Sequence, residues 1–477
     1  SLLRRHVPMP QAVLDEGVLQ VVFGGDIEAW TQAQEDGRLL SIAERAFYND
    51  ISAFEEWTGD LVLDPATFVD DVDAVIDTPP PPGDASMMPW PDGDWVADKS
   101  LPSNLDPVAL QAASDWAFDR ESSEQVTLSL IVVQGGDIVH ERYASGFDMS
   151  TRTRTWSTAK SLAVTLMGMM ADEGRLGLDE SLGLEWLPRQ ASPETDPRHA
   201  ITLRHVLSHT SGLSIRSATP PRGGQTRTRP TTLAEAVDGA ADVPLAFHPG
   251  SEWQYGASTD YVAILVEKIS GMSLDDFLRE RIFEPLGMQD TYYNIPESKV
   301  GQVAAVYRPS GPENTIELFR APTYREPTRY FGGQAGLSST AADYFRFAQM
   351  IANGGELDGV RLLGRMTVDL MISNNIGTGK DVYVRGPGYG FGLGFGILVD
   401  PTQSFDTLSP GSYGWGGAFG TLYWADPVED LIGLMFIQLP GHGPLNIRQR
   451  FTNVVTQAVV DSVADQRPTV QGYATPE

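Results

Sequence analysis

The pattern of apolar and polar positions divides the chain into two strand-rich regions with a helical region between them. The first strand-rich region holds an apolar, β-branched run over 126–133 and a second run over 138–143, joined by Gly135 and Gly136. Two such runs across a glycine pair predict a β-hairpin. Apolar runs late in the chain predict further strands over 390–399, 420–424 and 431–437.

A helix is predicted over 155–170, because apolar residues recur there at spacings of three and four. Residues 171–330 consist mostly of predicted helices and long loops. Strands at both ends of the chain and helices between them predict a mixed sheet whose chain is interrupted by a helical insertion.

Glycine occupies every second position from Gly388 to Gly396. This spacing does not match the G-x-G-x-x-G dinucleotide-binding pattern, and no G-K-[ST] follows, so a phosphate-binding loop is not expected. A period of two predicts one strand with a bare face, against which another element packs closely.

The length of 477 residues predicts two or three domains. Residues 1–100 form a separate acidic extension with twenty acidic and five basic residues, and a proline-rich linker is predicted over 78–94. The polar residues 465–477 are predicted to form a C-terminal tail.

Composition and charge exclude several classes of function. A net charge of −29 disfavours nucleic-acid binding, because a negative surface repels phosphates. The absence of cysteine excludes disulfides, cysteine–zinc sites, iron–sulfur clusters and a thiol nucleophile. No apolar stretch approaches the ~20 residues of a membrane-spanning helix, so no integral membrane segment is expected.

Candidate chemistry begins with Ser157 and Lys160, at the start of the predicted helix. Three residues make nearly one helical turn, so the hydroxyl and the amine lie on one face. Serine is a weak nucleophile that needs a base, and a lysine can be that base when it is neutral. Lys160 is one of five lysines in the chain and lies in an apolar helix. The alternative is an N-cap serine with a surface lysine, since Ser-x-x-Lys pairs also arise by chance.

Two later segments carry further candidates. Tyr255 follows a Pro-Gly turn and precedes a helix predicted over 261–269. Its phenol is a base only where a positive charge, such as that of Lys160, favours phenolate; otherwise it is a packed aromatic side chain. The glycine-rich segment 413–421 could bring backbone N–H groups close to a ligand, or it could form a tight strand entry.

Taken in order, these three segments resemble the serine β-lactamase and penicillin-binding-protein superfamily, specifically its class C-like branch. That branch includes family VIII carboxylesterases, 6-aminohexanoate-dimer (nylon-oligomer) hydrolases and D-aminopeptidases. Residues 201–213, ITLRHVLSHTSGL, resemble another typical segment of the superfamily, as do residues 282–288 and 354–363. The resemblance covers about residues 105–460.

The resemblance implies a β-lactamase/transpeptidase-like fold of the α+β class, an α/β sandwich with a helical subdomain. An antiparallel sheet flanked by helices would come from residues 101–170 and 331–464, and the helical subdomain from 171–330. The catalytic cleft would lie between them. Residues 1–100 are expected to pack on this body or to cover the cleft.

The resemblance also implies roles for individual residues. Ser157 would be the acylated nucleophile and Lys160 its proton partner. Tyr255 would match the tyrosine of a Tyr-x-Asn motif and act as general base. The backbone N–H groups of Ser157 and Ala418 would form the oxyanion hole.

Two departures from the superfamily pattern bear on the substrate. The substrate-binding place of the Lys-Thr-Gly motif would be taken by Trp415, Gly416 and Gly417, so an indole replaces the lysine cation. In the Tyr-x-Asn motif, Ala257 replaces the asparagine. In β-lactamases both groups help to hold the drug, so lactamase activity is not expected. A Trp-Gly-Gly triplet is a feature of family VIII esterases, and it offers an apolar wall.

These observations predict a serine hydrolase that forms an acyl-enzyme, first of all a carboxylesterase on short-chain esters, with no cofactor. An amidase or peptidase on small linear amides, of nylon-oligomer or D-aminopeptidase type, stays open. So does a penicillin-binding or sensor protein with little turnover. The habits of the superfamily, with a signal peptide already removed, suggest a periplasmic or secreted protein. The natural substrate and the oligomeric state are left open.

His205 and His209 are spaced i, i+4 on a predicted helix, as zinc ligands can be. The glutamate of H-E-x-x-H is missing between them and no third ligand is evident. We therefore expect structural histidines and no metal site.

Overall fold

The computed structural model describes residues 101–118, 127–182, 196–213, 233, 245–256, 258–310, 315–320, 328–440 and 447–466. The predicted acidic extension, its proline-rich linker, most of the predicted tail and Ala257 lie outside these residues. The division into domains, including any cover that residues 1–100 provide for the cleft, stays a prediction.

The described strands are, in chain order, β1 Thr127–Gln134, β2 Asp137–Tyr143, β3 Thr153–Arg154, β4 Val306–Ser310, β5 Thr315–Arg320, β6 Ser338–Ser339, β7 Glu356–Leu357, β8 Val360–Arg361, β9 Tyr389–Phe391, β10 Gly396–Leu398, β11 Tyr413–Gly416, β12 Leu422–Asp426 and β13 Leu431–Ile437. The α-helices are α1 Pro107–Phe118, α2 Ala159–Asp172, α3 Leu203–Leu207, α4 Ser258–Ser270, α5 Leu274–Leu278, α6 Ala341–Ala352, α7 Arg365–Met371 and α8 Ile447–Thr456. No helix among the described residues is long and apolar enough to cross a membrane.

A seven-stranded antiparallel sheet, in the order β2-β1-β13-β12-β11-β10-β9, forms the centre of the fold. The predicted first hairpin is confirmed: β1 and β2 pair across Gly135 and Gly136, whose φ values of 62° and 86° suit the tight turn. Late strand β13 pairs with early strand β1, with Leu130 opposite Met435. Both strands are buried along their whole length.

Helices cover both faces of the sheet. Neighbouring residues of a strand point to opposite faces: Trp424 packs on Phe451 of α8, and Tyr423 packs on Tyr344 of α6. The prediction of an α+β fold with an antiparallel sheet flanked by helices is therefore confirmed.

The prediction of one strand over 390–399 is wrong. β9 and β10 pair antiparallel, and Gly394 (φ 82°) lies in the turn between them, where a left-handed backbone reverses the chain. Close packing does explain these glycines. A Cβ on Gly394 would lie 2.9 Å from the Cβ of Val164, and one on Gly392 would lie 2.1 Å from the carbonyl oxygen of Met371.

Candidate active site

Ser157 lies in a 3₁₀ turn, Trp156–Thr158, that leads directly into α2. The N–H and the hydroxyl of Thr155 both donate to the carbonyl of Leu337, at 3.0 and 2.9 Å. Trp156 has a φ of 51°, a conformation that is uncommon outside glycine. The hydrogen bonds from Thr155 to Leu337 thus hold this turn in place. Ser157 is half-buried at the start of α2.

The amine of Lys160 lies against Ser157. Its Nζ donates to Ser157 Oγ at 3.2 Å and to the carbonyl of Gln334 at 3.1 Å, and the residue is 2% exposed. Gln334 is held in turn by Asp260, whose carboxylate accepts from the Gln334 N–H at 3.2 Å and from its Nε2 at 3.0 Å. A buried carboxylate at the start of α4 therefore positions the carbonyl that Lys160 contacts.

Tyr255 and Trp415 meet beside this pair. The indole Nε1 of Trp415 donates to the Tyr255 hydroxyl at 2.9 Å, and Lys160 Nζ lies 4.6 Å from the centroid of the Tyr255 ring. The backbone N–H of Tyr255 donates to the Tyr383 hydroxyl at 3.0 Å. Trp415 is thus a hydrogen-bond donor to the phenol.

The two glycines after Trp415 allow close approaches. A Cβ on Gly417 would lie 2.2 Å from the carbonyl oxygen of Thr155, so glycine lets the end of β11 pack against the turn that carries Ser157. A Cβ on Gly416 would lie 2.9 Å from the guanidinium carbon of Arg448. Ala418 follows Gly417 directly in the β11–β12 loop.

His209, for which the sequence predicts only a structural role, lies beside Tyr255. Its ring packs on those of Tyr255, at 4.9 Å, and Phe391, at 5.2 Å, and its Nδ1 is 2.6 Å from the hydroxyl of Ser258. Burial, and next to it the ammonium of Lys160, lowers the pKa of His209 well below its usual value. The imidazole is therefore neutral at neutral pH.

The placement of His205 and His209 on one helix is wrong. Helix α3 ends at Leu207, and His209 takes a left-handed conformation with a φ of 59°. His205 Nδ1 accepts from the N–H of Thr202 at the start of α3 and so completes a capping box. Within the described part of the chain, no group of three or more metal-ligating side chains is placed to hold a metal ion.

The chain belongs to the beta-lactamase family, whose profile matches residues 118–454. Protein Rv1367c of Mycobacterium tuberculosis is 30% identical over 332 residues, which cover 64% of this chain and 82% of that protein. Esterase EstB of Burkholderia gladioli is 28% identical over 391 residues, which cover 73% of this chain and 96% of EstB.

Among solved structures, EstCE1, a hydrolase with promiscuous acyltransferase activity, superimposes with a TM-score of 0.60 at 22% identity. The match covers 73% of this chain and 97% of EstCE1. This likeness shows the fold. Family membership and the esterase relative make the protein a serine hydrolase of β-lactamase-related type.

Proposed function

We propose that the protein is a carboxylesterase that hydrolyses short-chain esters through an acyl-enzyme on Ser157. One observation carries the proposal: the amine of Lys160 contacts Ser157 Oγ and also lies over the ring of Tyr255, whose hydroxyl is bound by Trp415. A nucleophile, two proton-transfer groups and an apolar wall thus converge at one helix start.

In the proposed reaction, Ser157 Oγ attacks the ester carbonyl carbon and its proton passes to the Lys160–Tyr255 pair. The N–H groups of Ser157 and Ala418 stabilise the tetrahedral oxyanion. Collapse breaks the bond to the alcohol, which leaves with the transferred proton. Water then attacks the acyl-enzyme by the reverse sequence of proton transfers and releases the acid.

The surroundings of Trp415 favour esters over amides. Trp415 is 3% exposed, packs on Phe391 at 5.1 Å and uses its N–H on Tyr255, so an almost fully buried, uncharged apolar surface replaces the cation that a β-lactamase would offer. Such a surface suits uncharged acyl and alcohol groups. The relative EstB is named an esterase, which agrees with this choice.

Intact-protein mass spectrometry tests the proposal. We expect a fluorophosphonate adduct that maps to Ser157, rapid hydrolysis of p-nitrophenyl butyrate and no lasting adduct with a penicillin. Fast cleavage of a 6-aminohexanoate dimer with slow ester cleavage would favour the amidase instead. A persistent penicillin adduct on Ser157 would identify a penicillin-binding or sensor protein.

The exchange of Tyr255 for phenylalanine should lower kcat for p-nitrophenyl butyrate by about 10²- to 10⁴-fold, the usual contribution of a proton-transfer group. The substitution removes only the hydroxyl that Trp415 contacts. Stopped-flow measurement of acylation and deacylation would show which step slows. Tyr307→Phe, on β4, is the control and should keep the wild-type rate. Full activity in Tyr255→Phe would assign the base role to Lys160 alone.

A further inference from the structure

Arg448 contacts the loop that carries the proposed oxyanion-hole donor. It is the second residue of α8, and its Nη2 donates to the carbonyl of Gly417. The same carbonyl accepts the N–H of Gly420 at 3.0 Å, while the Gly417 N–H donates to Thr421 at 2.7 Å. The carbonyl of Gly417 is therefore held from two sides.

The carbonyl of Gly417 and the N–H of Ala418 belong to one peptide group. Because a peptide group is planar and trans, its C=O and N–H point in opposite directions, and fixing one fixes the other. A charged donor on the carbonyl also polarises the group and makes its N–H a stronger donor. A contact on the carbonyl of Gly417 thus acts on the Ala418 N–H, which the proposed function assigns to the oxyanion hole.

We propose that Arg448 is a positioning residue for the oxyanion hole, which aims and polarises the Ala418 N–H through the carbonyl of Gly417. The inference rests on the proposed acyl-enzyme function, because it concerns the N–H that would stabilise the tetrahedral intermediate. The inference also explains why residue 416 is glycine: a Cβ there would lie 2.9 Å from the central carbon of the Arg448 guanidinium.

The charge of Arg448 persists at neutral pH. Burial, followed by repulsion from Arg385, lowers the pKa of Arg448 to about 10, which leaves the guanidinium protonated under assay conditions. Asp406 lies 3.8 Å from Arg385 and offsets the charge of that neighbour. A positive charge therefore stays beside the Gly417 carbonyl.

Steady-state kinetics with p-nitrophenyl butyrate, together with phenylboronic acid binding, test the role of Arg448. Boronic acids form a tetrahedral adduct with a nucleophilic serine, and one adduct oxygen stands in for the oxyanion. Loss of a direct oxyanion-hole donor costs about 10²- to 10³-fold in kcat, so the indirect loss in Arg448→Met should be ~10- to 100-fold. KM should stay nearly constant, and boronate affinity should fall in parallel with kcat.

Two further variants and a control complete the experiment. Gly416→Ala keeps the arginine but places a Cβ 2.9 Å from its guanidinium carbon and 3.0 Å from the carbonyl oxygen of Thr421, and it should reproduce the kinetic defect even if Arg448→Met does not fold. Arg448→Lys should recover part of kcat, because it restores a charged donor without the planar fork. Arg450→Met, an exposed arginine on the same helix, should behave as wild type.

An unchanged kcat in folded Arg448→Met would overturn the inference, and so would a raised KM with unchanged kcat, which would assign Arg448 to substrate binding. Failure of the proposed function looks different. In that case Ser157→Ala would keep its activity and no fluorophosphonate adduct would map to Ser157.

Discussion

Replacement of Ser157 by alanine is expected to reduce kcat for p-nitrophenyl butyrate by roughly four orders of magnitude or more, because loss of a nucleophile removes the covalent route. The fluorophosphonate adduct should disappear with it. The Ser157 side chain is half-buried, and its hydroxyl accepts a hydrogen bond from the amine of Lys160. Loss of this hydroxyl should therefore leave the packing of α2 intact. The measurement is the initial rate over a wide enzyme range, with thermal unfolding to confirm folding.

Ser161→Ala is the matched control for the nucleophile. Ser161 lies one turn later on α2, where its hydroxyl donates to the carbonyl of Gly394 at 2.8 Å. Its loss should lower stability modestly and leave kcat within a few-fold of wild type. Residual activity above a few per cent in Ser157→Ala would mean that another residue is acylated.

Lys160→Met should cost about 10²- to 10⁴-fold in kcat, the range for a group that moves a proton in the transition state. Methionine preserves most of the buried stem, so the loss reports on the amine that contacts Ser157 and Gln334. Lys160→Arg should be nearly as inactive, because a guanidinium cannot give up its proton at the pH of the assay. Burst kinetics would show slowed acylation in both variants.

Lys268→Ala, at the exposed end of α4, serves as the lysine control and should retain the wild-type rate. If Lys160→Arg kept most of the activity, positive charge alone would be what Ser157 needs, and the role of Lys160 as a base would be wrong.

The sequence predicts those helices and strands that depend on contacts between residues close together in the chain. The β1–β2 hairpin follows from β-branched runs across Gly135 and Gly136, and α2 follows from apolar spacing. The prediction of one strand for the glycines from Gly388 to Gly396 is wrong, because a period of two also arises when each glycine packs against a different neighbour around a turn.

Contacts between distant parts of the chain gave no sequence signal. Asp260 acts on Lys160 through Gln334, and Arg448 reaches the Gly417 carbonyl from a separate helix. Neither residue lies in a motif. The placement of His209 beside Tyr255 depends on a left-handed residue after α3, which sequence spacing does not reveal. These three contacts depend on the tertiary structure, so only the folded chain shows them.

The pairing of β1 with β13 also determines the stage of translation at which the fold can be completed. Leu130 must pair with Met435, about 300 positions later, before β1 and β2 can join the other five strands of the sheet. Contacts at such separation fold slowly and leave apolar edges exposed while the ribosome completes the chain. Ser157 is translated about 260 positions before Gly417 and Ala418, so the proposed site is incomplete until that loop has also been made. Hydrolytic activity therefore requires that β13 has been translated.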